Sequence, residues 1–243
     1  MLVSINQPAY LPWLGYFHRI AVSDLHVVLD HVQYEKNSFT NRNKIRTANG
    51  WTWLTVPVRT GGQFGNLSIA SLGVAEDAWR RKHWDTLRQN YAKAPFFQEH
   101  KAFLEELFRQ EWTQLALLLR SSTDYLLAAL GINTPFLYSS DIGVEGAKDL
   151  LVLDICRKTK ASIYISGALG RDYLREPLFA AEGLKIYYQD YVHPRYRQAF
   201  PGFEPHMAVL DLLLNHGPAS LQILLEGNET KEDVRRRARL AAD

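Results

Sequence analysis

Cysteine is almost missing from this sequence: Cys156 stands alone among 243 residues. No intramolecular disulfide can form, and a cysteine framework or a cysteine-rich zinc site is excluded. An excess of one charge is lacking as well. Lys and Arg total 28 against 26 Asp and Glu, a formal net charge of +2. The overall balance therefore selects no acidic or basic partner, and local clusters must decide. Long hydrophobic runs are absent, and no window nears the roughly 18 uninterrupted apolar residues of a membrane span. Gln7, Pro8 and Pro12 interrupt the first apolar stretch, so the start of the chain lacks the pattern of a signal peptide. The expectation is a cytoplasmic protein with no membrane span. Internal repeats and low-complexity tracts are missing too.

What is present is an ordinary globular content, 47% hydrophobic, over a length that can bury a sizeable core. Leu2 to Ile5 reads as a buried strand, Trp13 to Ala21 as a helix with Pro12 near its first turn, and Asp24 to Leu29 as a second strand. Residues 31–75 differ: Asn49-Gly50 is a hairpin signal, Pro57 points to an edge, and Gly61, Gly62 and Gly65 form a flexible loop. This stretch is expected as an irregular or antiparallel insertion over the mouth of the sheet. Helical periodicity covers about 77–130, in segments at Asp77–Tyr91, Phe96–Arg109 and Thr113–Leu130, the last closed by Gly131. Strand and helix then alternate again: "TPFLYSS", a helix over Ala147–Thr159, "ASIYIS", a helix over Arg171–Ala181, and "LKIYYQ". Such alternation predicts an α/β domain over 1–228, with a doubly wound, mostly parallel sheet. The charged tail 229–243 is expected as a loosely attached helix with a solvated arginine face.

Four stretches hold chemistry. In open α/β sheets, ligands bind beyond the carboxyl ends of strands. The first such loop, "INQPAYLPWLGYFHRI", offers Gln7, Tyr10, Tyr16 and His18, with Gly15 leaving room at the helix start. Either it lines a pocket or it is a stiff lid whose aromatics fill a gap. "DHVQYEKNSFTNRNKIR" places Lys36, Arg42, Lys44 and Arg46 among Asn37, Asn41 and Asn43. It suits carboxylate, phosphate or hydroxyl-rich ligands, unless it is a solvated loop. Single-stranded nucleic acid stacking on Phe39, Trp51 and Trp53 is a lesser reading. "SGALGRDYL" holds Ser166, Gly167, Arg171, Asp172 and Tyr173, as a phosphate-cradling junction or simply a tight turn. The last stretch carries His193, Tyr196, Gln198, Asp211 and Asn215. His193 is the first choice for general base and Asp211 its orienting partner, although a carboxylate amid "VLDLLL" also suits a structural anchor. The eight histidines lack metal-ligand spacing, so no metal site is expected, and no cofactor is named.

The motifs "QPAYLPWLGYF", "LDHVQYEKNSFTNRNKI", "GWTWLTVPV", "YAKAPFF", "YISGALGRDYL" and "HPRYRQAF" followed by "VLDLLLNHG" resemble those of the WbqC-like proteins, a bacterial family often encoded among genes for cell-surface polysaccharide. The resemblance implies modification of a sugar or surface polymer. A more distant similarity joins the chain to the nucleotidylyltransferase-like group, which carries His-x-Gly-His after its first strand. Here Trp13-Leu14-Gly15-Tyr16 stands in that place, with His18 further on. That departure favours nucleotide binding over nucleotide cleavage. The resemblances together imply a transferase for an activated sugar, amino acid or acyl group, acting on a nucleotide-activated or anionic small molecule. The alternative is a non-catalytic nucleotide- or sugar-binding assembly protein that retains the fold.

Overall fold

A computed structural model describes residues 1–61, 67–75 and 78–240. Gly62 and Gly65 of the expected loop, and Asp77 at the expected helix start, lie outside the described residues. The chain opens with β1 (Leu2–Asn6), α1 (Leu14–Ala21) and β2 (Leu25–Val28). Two antiparallel pairs follow, β3 (Arg42–Thr47) with β4 (Gly50–Thr55), and β5 (Val58–Arg59) with β6 (Gly73–Val74). Three helices come next: α2 (Trp79–Tyr91), α3 (Phe97–Arg109) and α4 (Leu115–Leu130). The α/β rhythm resumes with β7 (Phe136–Tyr138), α5 (Asp149–Lys158), β8 (Ile163–Gly167), α6 (Glu176–Ala180) and β9 (Lys185–Gln189). Helices α7 (Val209–His216), α8 (Ser220–Leu225) and α9 (Lys231–Leu240) complete it.

The main sheet has five strands in the order β7-β2-β1-β8-β9, and all its pairings are parallel. Its inner strands β1, β2 and β8 are short, mainly apolar and buried runs, as burial on both faces requires. Val3, Ile5, Val27 and Tyr164 pack with Leu151, Ile155 and Phe179 on the α5/α6 face. Leu2, Ile163 and Ile165 pack with Val22, Val234 and Ala238 on the α1/α9 face. The sheet is therefore covered on both sides, the doubly wound α/β arrangement. The chain fills one half of the sheet with β2 and β7 and the other with β8 and β9, so the strand order switches direction between β1 and β8. Helices α2 to α4 and α7 form a second layer of core around Tyr10, Leu14, Phe17, Tyr91 and Leu213.

Local chemistry explains the boundaries. Gly131 takes a left-handed φ of 72° and its N–H caps the Ala128 carbonyl, closing α4. The β3–β4 register pairs Thr47 with Gly50, and Gly50 takes a φ of 107°. Two elements differ from expectation. The helix anticipated over Arg171–Ala181 is a 3₁₀ turn at Ala168–Asp172 followed by the short α6. Pro177 lies in the first turn of α6, and a proline tolerates only the start of a helix. The charged tail is not loosely attached. Val234 and Ala238, four apart, are buried against the sheet, and Asp24 receives both Lys231 and Arg235.

Candidate functional site

The switch point between β1 and β8 is occupied by a residue that the sequence reading did not select. Arg19, in the last turn of α1, reaches back over the strand ends. Its Nε donates to Gln189 Oε1 at 2.9 Å, and its Nη1 donates to Asn6 Oδ1. Its Nη2 lies 2.6 Å from where a side-chain carbon on Gly167 would stand, so glycine at that position makes room for the guanidinium. Both partners are neutral, and among the described residues no carboxylate pairs with Arg19. Burial pulls its pKa down, opposed by the surrounding phenols of Tyr164, Tyr16 and Tyr173. A desolvated cation without a counter-charge is costly, and its field is open to an anion.

The partners of Arg19 are themselves fixed. Gln189 Nε2 donates to Gly15 O at 3.1 Å and lies 2.7 Å from His18 Nδ1. His18 Nε2 lies 3.1 Å from Glu229 O. The carbonyl can only accept, so His18 carries its proton on Nε2 and accepts from Gln189 at Nδ1. Burial lowers the His18 pKa to about 4, so the ring is neutral at pH 7 and serves as a brace. Beside this group Gln7 is half-buried with no hydrogen-bond partner among the described residues. At the end of β8, Ser166 is buried and donates to Gly167 O at 3.1 Å. Arg171 forms a fork with Asp190, at 2.9 and 2.8 Å. Asp172 is exposed, and Tyr173 and Leu169 present apolar surface at the rim. On the other side of β1, Asp30 accepts from Ser139 Oγ at 2.9 Å and Ser140 Oγ at 2.6 Å; the sequence reading did not single it out.

The rest of the opening stretch does not join this crevice. Tyr10 is fully buried, with its hydroxyl 3.0 Å from His83 Nδ1. Tyr16 is buried between Phe17 and His26. The space above Gly15 is taken by the indole of Trp13, which would stand 2.3 Å from an added side-chain carbon. Gly15 thus admits a packing ring.

The polar loop and hairpin sit on that same stretch. Tyr10 N–H donates to Phe39 O, and Asn43 Nδ2 donates to Leu11 O at 2.6 Å. Asn41 Nδ2 donates to Val56 O at 2.8 Å and its Oδ1 accepts from Tyr34. Both asparagines are buried connectors. Lys36 and Arg42 face outward, Arg42 with its guanidinium 4.4 Å over the Trp53 ring.

The expected His193–Asp211 hydrogen bond is not formed. Asp211 is wholly buried and accepts from Tyr91 at 2.8 Å, Tyr196 at 2.9 Å and Gln198 at 2.9 Å. Burial raises its pKa, against the pull of those three donors and the Arg46 charge. His193 Nε2 accepts from the His206 N–H at 3.1 Å, and its Nδ1 lies 2.9 Å from Pro194 O. Its lone pair is already committed. The two residues share only Tyr196, which stacks with His193 and donates to Asp211. Among the described residues no group of three or more His, Cys, Asp or Glu is placed to hold a metal, and no helix is long and apolar enough to cross a membrane.

Comparison with known proteins agrees with the family resemblance. The model of the WbqC-like protein family matches residues 7–223. Uncharacterized protein Rv1507c of Mycobacterium tuberculosis (strain ATCC 25618 / H37Rv) is 36% identical over 217 residues, covering 88% of this chain and 94% of its own length. No solved structure matches.

Proposed function

This chain belongs to the WbqC-like protein family, and we propose that it is a transferase that takes an activated sugar, amino acid or acyl group from an anionic, nucleotide-type donor in cell-surface glycan biosynthesis. The observation that carries this reading is Arg19, a half-buried guanidinium with neutral partners at the switch point. In this reading Arg19 binds the donor phosphate and offsets the charge that develops as the leaving group departs. Asn6 and Gln189 orient it, and the unpaired amide of Gln7 contacts the donor or the transferred group. An activated donor brings its own leaving group, so charge stabilisation and alignment supply most of the acceleration.

Thermal shift against UDP, UDP-sugars, ATP and CoA tests the reading. A ligand at about 100 times its Kd stabilises by about 2.7 kcal/mol, which for a chain this long is about 5–10 °C. Arg19→Met should abolish the shift while the protein still folds. A shift that survives Arg19→Met, or no shift with any anionic donor, would defeat it.

One observation favours a second reading, binding without chemistry. The nitrogens of His18 and His193 are all engaged by neighbours, which leaves neither histidine as a free general base. A donor that binds but is neither hydrolysed nor transferred to any glycan acceptor would select this alternative.

A further inference from the structure

The β3–β4 hairpin has one face in the core and one outside. Asn43, Ile45 and Leu54 are buried beneath it. Strand alternation turns Arg42, Lys44, Trp51 and Trp53 to the other face, and the register sets Lys44 directly opposite Trp53. Arg46, opposite Trp51, lies on it too but is buried and held by Pro201 O, so that end is covered. There cations and rings interleave. Arg42 lies 4.4 Å over Trp53, and Lys44 lies 4.2 Å over Trp51 and 5.3 Å over Trp53. Phe39, 49% exposed, extends the row with its ring 5.9 Å from Trp53. Its backbone carbonyl is bonded to Tyr10 N–H, so the row starts beside the loop that leaves β1.

Hydrogen-bonding capacity on this face is mostly donating; the exposed Thr55 hydroxyl, set opposite Arg42, is the exception. The indole N–H groups of Trp51 and Trp53 and the Lys44 ammonium have no acceptor among the described residues. Arg42 Nε is buried without a partner, and its Nη2 holds only the Asn37 carbonyl, at 2.5 Å. No carboxylate among the described residues pairs with Arg42 or Lys44. Glu204, near Gly50 at the turn end, is the acid beside the hairpin. This chain's own cations lie against the Trp51 and Trp53 rings, and the ring edges carry positive partial charge.

We propose that this outward hairpin face is a docking strip for an acidic glycan, which would be the acceptor chain if the transferase reading holds. A row of donors with free positive charge fits a ligand rich in acceptors and anionic groups. Hydroxyls and carboxylates along a saccharide supply both. A peptide would bring a row of backbone N–H groups, for which Thr55 is the acceptor on this face. Nucleic-acid bases stack on open ring faces, and with cations against Trp51 and Trp53 the ring without one is Phe39.

The test is a titration of the full chain with oligogalacturonate, a neutral malto-oligosaccharide of equal length, and oligo-dT. Oligogalacturonate should bind, at least tenfold more tightly than the other two, and weaken as salt rises. The double substitution Arg42→Gln, Lys44→Gln should weaken it at least tenfold while the melting temperature falls by no more than a few degrees, the loss of the stacked cations. Arg19→Met should leave this binding intact, and the double variant should leave any donor-induced thermal shift intact, so failure at the strip and failure at the crevice are separate results. Absence of oligogalacturonate binding, equal binding of the neutral glycan, tighter binding of oligo-dT, or indifference to the double substitution would each overturn the proposal.

Discussion

Asp211→Ala separates a structural from a chemical role for the one carboxylate set deep in α7. Asp211 holds the hydroxyls of Tyr91 and Tyr196 and the amide of Gln198, at 2.8, 2.9 and 2.9 Å. Alanine removes the acceptor and leaves three buried donors facing a void. Each orphaned donor costs about 1–3 kcal/mol, but the hydroxyls can turn and water can enter, so the sum is not additive. Removing one side of a buried charged network costs about 3–5 kcal/mol, and that range is expected. Arg46 adds to the loss, because its buried guanidinium is held only by backbone carbonyls and Asp211 supplies the opposing charge. Asp211→Asn should cost less. It keeps an acceptor for Tyr91, but its amide meets that of Gln198, which Glu204 pins from both sides. Urea unfolding followed by tryptophan fluorescence measures the loss, and the melting point should fall by about 10 °C. Ligand affinity per folded molecule should not change. A loss below about 1 kcal/mol, or a collapse of activity at unchanged stability, would refute the reasoning and return Asp211 to a chemical role.

Burial lowers the pKa of His18 to about 4, of His26 to about 3 and of His83 to about 4. The unfolded chain therefore binds protons first, and stability should be full above about pH 6.5 and fall as pH drops toward 4; a urea midpoint that is flat across that window would contradict the assignment. Gly15→Ala forces a carbon to within 2.3 Å of the Trp13 ring, so it should destabilise by about 1–3 kcal/mol through overpacking, visible as a lower melting point. A silent Gly15→Ala would mean that the indole can leave at little cost.

The sheet was legible because its signals are local. "LVSI", "DLHVVLD", "ASIYIS" and "LKIYYQ" are short apolar runs, and each ends where polar or turn residues begin. The alternation with helices then leaves few topologies, and the parallel order follows. The hairpin was legible for the same reason, since Asn49-Gly50 marks its turn, although the register shifts the turn back one residue to Ala48-Asn49 and makes Gly50 the first residue of β4. The site residues were harder. Gln7 and the end of β8 could be placed at a carboxyl edge by counting. The function of Gly15 could not, because it depends on the path of the Trp13 ring. Tyr10 looked available to a ligand, and only the arrival of His83, 73 residues later, makes its burial favourable. Asp211 was rightly suspect as a carboxylate in an apolar helix, but Tyr91 stands 120 residues upstream, a separation that no local pattern reports.

Arg19 is the instructive omission. In the sequence it follows His18 and precedes Ile20, both buried, and a basic residue in a last helical turn is ordinary, since it complements the helix dipole. The signal lay in the company it keeps, a long cation on a helix whose other residues are nearly all apolar. Its long stem lets the guanidinium cross the strand ends and reach Gln189, 170 residues away. Two neutral oxygens do not replace the water that a guanidinium gives up, so the folded chain bears that cost without the carboxylate that would relieve it. Gly167 bears a second, backbone cost to leave space for Nη2. A methionine of similar length would fill the site without either penalty, and selection for stability alone would favour it. The arrangement makes physical sense when the missing charge arrives from outside, and in the proposed reading a phosphate or carboxylate at the mouth between β1 and β8 is the group that completes it.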